Sequence, residues 1–331
     1  VYRTLWQKDV RRTRTMSKYA FGVDVGGTTV KLGLFNDKGQ VLDKWEIPTV
    51  KDNGGEKVLP DIAASIKNKM QEKNISVEEL VGVGIGAPGA VDADGYMVNG
   101  AVNIGWGAFD LAETLKKELD LPVTVKAGND ANVAALGEMW KGGGEGTKNL
   151  IMATLGTGVG GGVVHDQKIV AGRHGLGGEI GHIHIREGEK ETCNCGGHGC
   201  LEQVASATGI AREARRKMAA KPDASVMRAY GDAITAKDVL DAAKAGDALA
   251  LEVMDTVCYY LGWALATISM TVDPEIFVIG GGVSKAGTFL TDWIDRYYRE
   301  LTPISENKGE VRLATLGNDA GIYGAARLIL D

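Results

Sequence analysis

Val23-Asp24-Val25-Gly26-Gly27-Thr28-Thr29-Val30 and Ala153-Thr154-Leu155-Gly156-Thr157-Gly158-Val159-Gly160 carry the same pattern: strand, glycine-rich turn, strand. A twofold repeat with such a turn in each half is what a two-lobed phosphate clamp needs. Each turn offers backbone N–H groups and hydroxyls from its own side of a cleft. In the first turn Gly26 and Gly27 let the backbone curl against phosphate oxygens. Thr28 and Thr29 add donors, and Lys31 adds charge. Asp24, aimed into the cleft, is placed to hold a hydrated Mg²⁺. Alone, this stretch reads equally well as a hairpin with a Gly-Gly turn; the second copy, with Gly156, Thr157 and Gly158, tips the reading. That second copy also spells G-x-G-x-x-G. A dinucleotide fingerprint must open a helix after the turn, whereas Gly162-Val163-Val164 continues as strand, so a Rossmann reading is rejected.

Outward from the first turn, strands are expected at 19–24, 30–35 and 41–47, a helix at 55–73, a strand at 80–85, a helix at 110–119 and a strand at 123–126. A hairpin meander followed by alternating units implies an α/β architecture, with a mixed sheet covered by helices. Around Asn129 the plan restarts: helix 130–139, then strands 150–155, 161–165 and 168–170. Helices follow at 208–219, 235–243 and 249–270, a strand at 275–279, a helix from about 285 to 299 and a strand at 311–314. A last helix, 320–329, crosses back to the first half. The expected lobes are 16–128 with 316–331, and 129–315. Gly280-Gly281-Gly282 follows a buried strand. A glycine triplet there lets a flat ring lie on the backbone, so it is assigned to a nucleotide; an ordinary βα loop is the plainer alternative.

The chain of 331 residues exceeds what one core usually organises, which also argues for two lobes. Apolar stretches are interrupted well before a bilayer-spanning length, so no transmembrane helix is expected. A net charge of −6 makes nucleic acid an unsuitable main partner. Only four cysteines are present, three of them clustered, which points to a reducing cytosol rather than a disulfide framework. Residues 1–15 carry five basic side chains against Asp9 and read as an appended leader, with Met16 as the natural start.

The cysteines stand in Cys193-Asn194-Cys195-Gly196-Gly197-His198-Gly199-Cys200-Leu201-Glu202, eleven residues beyond His182. Three cysteines and one histidine make a closed zinc shell. His182, His184 and His198 are all near, and spacing alone does not choose among them. Glu179 and Glu202 flank the set, so a metal at its centre would hold two carboxylates toward a polyhydroxylated ligand. Cys258 lies in an apolar helix and belongs to the core. Asn129-Asp130-Ala131-Asn132 opens a helix. Asn and Asp are favoured N-caps, but a cap needs one such residue and this stretch supplies three. A carboxylate at the bottom of an interdomain cleft can accept a hydroxyl proton. Gly89 and Asn103, in loops after strands, could line a sugar pocket.

Together these motifs resemble the ROK family of repressors, open reading frames and sugar kinases, over essentially residues 19–330. The resemblance implies a two-lobed actin-like ATPase fold of the ribonuclease H-like type, with the site in the interdomain cleft. Among family members the chain is most similar to bacterial ATP-dependent glucokinases. By position it implies Asp130 as catalytic base, and Gly89, Asn103, Asn129, Glu179, His182 and Glu202 around glucose. It implies structural zinc on His182, Cys193, Cys195 and Cys200. ATP with Mg²⁺ is the expected donor, and a homodimer or tetramer the expected assembly. The rivals are kinases of fructose, N-acetylglucosamine, N-acetylmannosamine or allose, polyphosphate as donor, and a sugar-sensing repressor. The last needs an N-terminal DNA-binding module, and only eighteen residues precede the first expected strand.

Overall fold

A computed structural model describes residues 18–330; the leader assigned to 1–15 lies outside the described residues. Strands β1 (Tyr19–Val25), β2 (Thr29–Asn36) and β3 (Val41–Pro48) form an antiparallel meander. β4 (Leu80–Ala87) and β7 (Thr124–Asn129) extend it in parallel, giving the order β3-β2-β1-β4-β7. Helix α1 (Val58–Lys73), a short β5–β6 hairpin (Tyr96–Met97, Phe109–Asp110) and α2 (Leu111–Leu119) complete this half. The second sheet repeats the plan strand for strand. β8 (Leu150–Leu155), β9 (Val159–His165) and β10 (Lys168–Ile169) meander, and β11 (Ile276–Gly280) and β12 (Glu310–Leu313) add in parallel, in the order β10-β9-β8-β11-β12. Each sheet has its own core. Phe21, Leu32, Ile62 and Ile85 centre the first; Ile151, Val253, Leu261 and Phe277 centre the second.

Helix α3 (Asp130–Lys141) leaves the end of β7 and packs on β9. Helix α8 (Ala320–Arg327) returns to the first sheet, as the last helical pattern required, and crosses α3. The crossing is close because Gly137 and Gly324 lack side chains: a Cβ at either would strike the backbone of the other helix. The second half adds α4 (Ala207–Ala220), α5 (Ala236–Lys244), α6 (Ala248–Val272) and α7 (Thr288–Leu301).

Three expectations need correction. The helix expected from 55 begins at Val58, because Asn53, Gly54 and Gly55 take left-handed φ of 52°, 72° and 71°. The helix expected over 285–299 is split: a 3-10 turn, Val283–Ala286, ends at Gly287 (φ 75°) before α7 starts. Helix α6, with 25 residues, is long and apolar enough to cross a membrane by length and composition, which the sequence pattern did not suggest. It is the central core helix of its half, burying Val253, Met254, Val257, Leu261, Leu265 and Ile268.

Candidate active site

β7 runs straight into α3, and their junction builds the centre of the site. Asn129 is the N-cap: its Oδ1 accepts from the Asn132 N–H at 3.1 Å. Its Nδ2 donates to the Gly89 carbonyl and to Asp130 Oδ1, both at 3.0 Å. Gly89 takes φ +98°, and a Cβ there would strike the Gly100 carbonyl, so glycine is needed and its contribution here is a placed carbonyl. Asp130 Oδ1 also accepts from the Ala131 N–H at 2.8 Å. One carboxylate oxygen is thus fixed by two donors, and the other accepts no hydrogen bond among the described residues. Burial raises the Asp130 pKa above the usual carboxylate range. The charge of Glu179 adds to the rise, and the donors from Ala131 and Asn129 oppose it. Asn132, buried, donates to the Gly177 carbonyl at 2.8 Å and so ties the loop leading to Glu179 onto α3.

Asp130 shares a cavity of about 610 Å³ with Asp24, Lys31, Gly280, Gly281 and Gly282. Burial, reinforced by Asp130 and offset by Lys31, lifts Asp24 to about 6. Among the described residues no hydrogen-bond donor reaches its carboxylate. A half-buried acid with no donor on it suits a hydrated cation. Lys31 donates to the Asn318 carbonyl across the cavity at 3.0 Å. Thr154, from the second turn motif, and Lys285, Thr315 and Asn318, outside every sequence motif, also line it. The buried Glu138 accepts from Thr315 N–H at 3.0 Å and Leu316 N–H at 2.9 Å, which fixes that rim. A second cavity of about 400 Å³ adjoins the first through Gly282 and Lys285 and is walled by α5.

The glycine turns themselves do not line these cavities, contrary to the simplest clamp picture. The Gly26 N–H donates to the Thr29 carbonyl and the Gly156 N–H to the Gly158 carbonyl, both at 3.0 Å. Those two donors close the turns instead of facing a ligand. Gly27, Thr28, Thr157 and Gly158 remain part-exposed or exposed at the turn tips, with Thr28 and Thr157 presented to solvent. β9 continues directly after the second turn and pairs antiparallel with β8, so the fingerprint-like glycines are a hairpin.

His182, Cys193, Cys195 and Cys200 converge, their ligand atoms all within 4.8 Å of one another. The Cys195–Cys200 sulfur separation and the Cys193 Sγ–His182 Nδ1 distance are each 3.7 Å. A tetrahedron with Zn–S near 2.3 Å has edges of about 3.8 Å, so the set fits zinc. Geometry now selects the histidine. His184 Nδ1 meets the His198 carbonyl at 2.7 Å, and His198 Nδ1 meets the Glu191 carbonyl at 3.0 Å. His182 Nδ1 faces the sulfurs and its Nε2 lies 3.9 Å from Glu179. Glu202 stands on the other flank, Oε1 3.8 Å from Cys193 Sγ and Oε2 accepting from the Val159 N–H at 2.9 Å. Asn103 is exposed on the opposite rim, beside Gly27.

The ROK family's sequence model matches residues 20–331. The chain belongs to the ROK family. A glucokinase of Halalkalibacterium halodurans is 47% identical over 315 residues, covering 94% of this chain and 95% of that protein. A ROK family glucokinase from Streptomyces griseus, solved in complex with glucose and AMPPNP, superposes with a TM-score of 0.70 at 34% identity, covering 94% and 98%. A ROK hexokinase from Thermus thermophilus gives 0.77 at 30% identity, covering 93% and 97%. The paired sheets are therefore the two-lobed actin-like fold of ROK sugar kinases, each five-stranded with the same strand order. Within that frame Asp130 and the cysteines stand in the motifs that carry the resemblance, and Gly280–Gly282 in the loop at the end of β11. The rim residues Lys285, Thr315 and Asn318 come from loops with no motif of their own.

Proposed function

We propose that this chain phosphorylates D-glucose at O6 with ATP. The observation that carries the reading is Asp130: a half-buried carboxylate with a raised pKa, one oxygen pinned, at the meeting of the two sheets and on the wall of the larger cavity. Similarity to glucokinases over nearly the whole chain supports it. The glucose O6 hydroxyl gives its proton to Asp130 as O6 bonds to the γ-phosphorus. The bond from that phosphorus to the β-γ bridging oxygen breaks, and ADP leaves with the electron pair. Such transfer is positioning plus electrostatics. The cavities flanking Gly282 suit the nucleotide, its phosphates toward Asp24 and Lys31. Asp24 would hold a hydrated Mg²⁺, which neutralises phosphate charge when bound.

Glucose is neutral, so its pocket calls for hydrogen-bonding groups rather than cations. Asn103, Asn129, Glu179, His182 and Glu202 are the side chains we assign to it, with Gly89 placing Asn129. Zinc on His182, Cys193, Cys195 and Cys200 would stiffen the wall that carries both glutamates. We assign residues 16–128 with 316–331 to one lobe and 129–315 to the other, with closure of the cleft excluding water. A reduced cysteine set fits a cytosolic enzyme. A homodimer is supported by the face of α6 that leaves Tyr259, Trp263 and Met270 exposed, flanked by Asp255 and Arg296. Assays of glucose, mannose, fructose, allose and the N-acetylhexosamines, each with ATP and with polyphosphate, test the reading. Glucose with ATP is expected to give the highest kcat/KM; a higher value for an N-acetylhexosamine or for polyphosphate would replace it.

A further inference from the structure

We propose that Lys51 is a catalytic residue, its ammonium meeting the phosphoryl group as it passes between nucleotide and sugar. This rests on the kinase reading above and adds to it a residue outside every motif described so far.

Residues 49–55 are held at both ends. At one end the Thr49 N–H donates to the Thr28 carbonyl at 2.9 Å, and the Thr49 hydroxyl donates to the Gly26 carbonyl at 2.7 Å. At the other end Trp106 Nε1 donates to the Gly55 carbonyl at 3.1 Å, and Gly54 lies against Gly105. The segment therefore straps the first glycine turn to the loop that carries Asn103. Between the two anchors, Asn53, Gly54 and Gly55 are left-handed in succession. The two glycines take this region without strain, so only Asn53 needs its surroundings to hold it there. The side chain that this strap delivers is Lys51. A Cβ built on Gly27 would lie 3.7 Å from Lys51 Nζ and 3.5 Å from Asn103 Nδ2. The ammonium thus stands between the first glycine turn, which follows Asp24 at the end of β1, and the loop assigned to sugar.

Charge decides what an ammonium there would do. Asp24, Asp130 and Glu179 bring three carboxylates toward the site, and a nucleotide triphosphate adds more negative charge. Lys31 directs its ammonium to the Asn318 carbonyl. Lys51 is exposed and has no carboxylate partner among the described residues. The plainer reading is a solvated surface lysine. It does not account for a strap anchored at both ends that places this one cation beside Gly27 and Asn103. In transfer, negative charge spreads over the three equatorial phosphoryl oxygens. A positioned cation at those oxygens stabilises the transition state more than either ground state. No proton moves through Lys51; it acts as a point charge.

The test uses the full chain with Lys51→Met and Lys51→Arg, assayed for kcat, for KM of glucose and of ATP, for ADP affinity by titration, and for thermal midpoint. Lys51→Met is expected to lower kcat by about 10²–10³-fold, the size of losing one oxyanion donor. ADP affinity, glucose KM and the thermal midpoint should stay near wild type, because the side chain is exposed and touches only the transferring group. Lys51→Arg should recover most of the loss. A kcat for Lys51→Met within about threefold of wild type overturns the proposal and leaves the kinase reading standing. So does a loss that follows thermal stability and that arginine does not repair. Wild-type protein that phosphorylates no hexose would instead overturn the kinase reading on which Lys51 depends.

Discussion

The two sheets share one strand order and one glycine turn apiece, yet their equivalent positions differ in charge. Asp24 precedes the first turn by one residue, and Thr154 occupies the same place before the second. Both line the larger cavity. In register, Asp24 lies opposite Lys31, whereas Thr154 lies opposite Gly160. One half of the symmetric frame therefore brings an acid and a base to the cavity, and the other brings a hydroxyl and open space. The turns are also backed differently. The first is strapped by Thr49; the second is held by Glu202 on the Val159 N–H and by the Thr208 hydroxyl on the Thr157 carbonyl at 2.7 Å. Duplication explains the frame. The chemistry lies where the copies diverge.

Asp130 belongs to neither copy's turn, and its loss should be the largest effect. Asp130→Asn is expected to lower kcat by about 10²–10⁴-fold, the usual scale for a general base. Glucose affinity, read by titration, should hold within a few-fold. Residual kcat above about a tenth of wild type would remove Asp130 from proton transfer.

The Asp24–Thr154 contrast can be broken directly. Asp24→Asn should cost about 10²-fold in kcat/KM for MgATP, and Thr154→Val only a few-fold; equal losses would mean that the charge asymmetry is incidental. Stability should move the other way. Burial raises Asp24 from 3.8 to about 6 in the folded protein. A raised folded pKa means that the stabilising protonated form is fully present below about 3.8 and is lost as pH rises through 6. At pH 8 the ionised, unliganded acid destabilises the fold by about 2–3 kcal/mol. Asp24→Asn should therefore raise the thermal midpoint at pH 8 and change it little at pH 4. A lower midpoint at pH 8 would show that the carboxylate has a structural partner.

Much of this site was legible from residue order. The cysteine cluster and the Asn129-Asp130 helix entry announce themselves because metal ligation and helix capping demand particular residues at short spacing, whereas the glycine turns were legible as turns but do not line the cavities. His182 was not separable from His184 and His198 by spacing. It became so only once their ring nitrogens were seen to meet the carbonyls of His198 and Glu191. Lys51, Lys285, Thr315 and Glu138 were illegible for a different reason. Each lies beside residues tens to hundreds of positions away, and an isolated lysine or glutamate carries no periodicity. Helix starts at 55 and 285 were misplaced by glycines whose left-handed φ depends on what packs against them.

A smaller effect sharpens the contrast in backing. Glu202→Gln keeps an acceptor for the Val159 N–H but removes charge from the glucose side. It should raise glucose KM by about tenfold, the scale of one charge-assisted hydrogen bond, with ATP KM changing less. Thr49→Val removes the strap's hydroxyl from Gly26 and should act on kcat through Lys51 rather than on glucose KM. If both variants shift the same parameter, the two turns are not backed for different tasks.

The smallest expected effect concerns the fold around the zinc ligands, because that loop has a second anchor. Arg186 meets Glu213 at 2.7 Å, while Arg216 meets Glu189 at 2.7 Å and Glu191 at 2.9 Å. Glu189 is almost fully buried, and its bond to Arg216 holds its pKa down to about 2. A depressed carboxylate pKa contributes stability above its unfolded value near 4.5, lost as pH falls through 2. At neutral pH, then, residues 186–191 should stay docked on α4 when metal is removed. Cys195→Ser, or chelation, should leave the far-ultraviolet spectrum and ATP affinity nearly unchanged. Glucose KM should rise several-fold as Glu179 and Glu202 lose the link through His182 and Cys193. Arg216→Met alone should lower the thermal midpoint at pH 7 but less at pH 3, with glucose KM nearly unmoved while zinc is bound. Combining it with metal removal should unfold the loop, visible as new amide exchange across 186–202. If zinc-free protein keeps its glucose KM, the metal is a staple remote from the sugar. If zinc-free protein loses ATP affinity as well, the wall holding the glutamates is not independent of the nucleotide half.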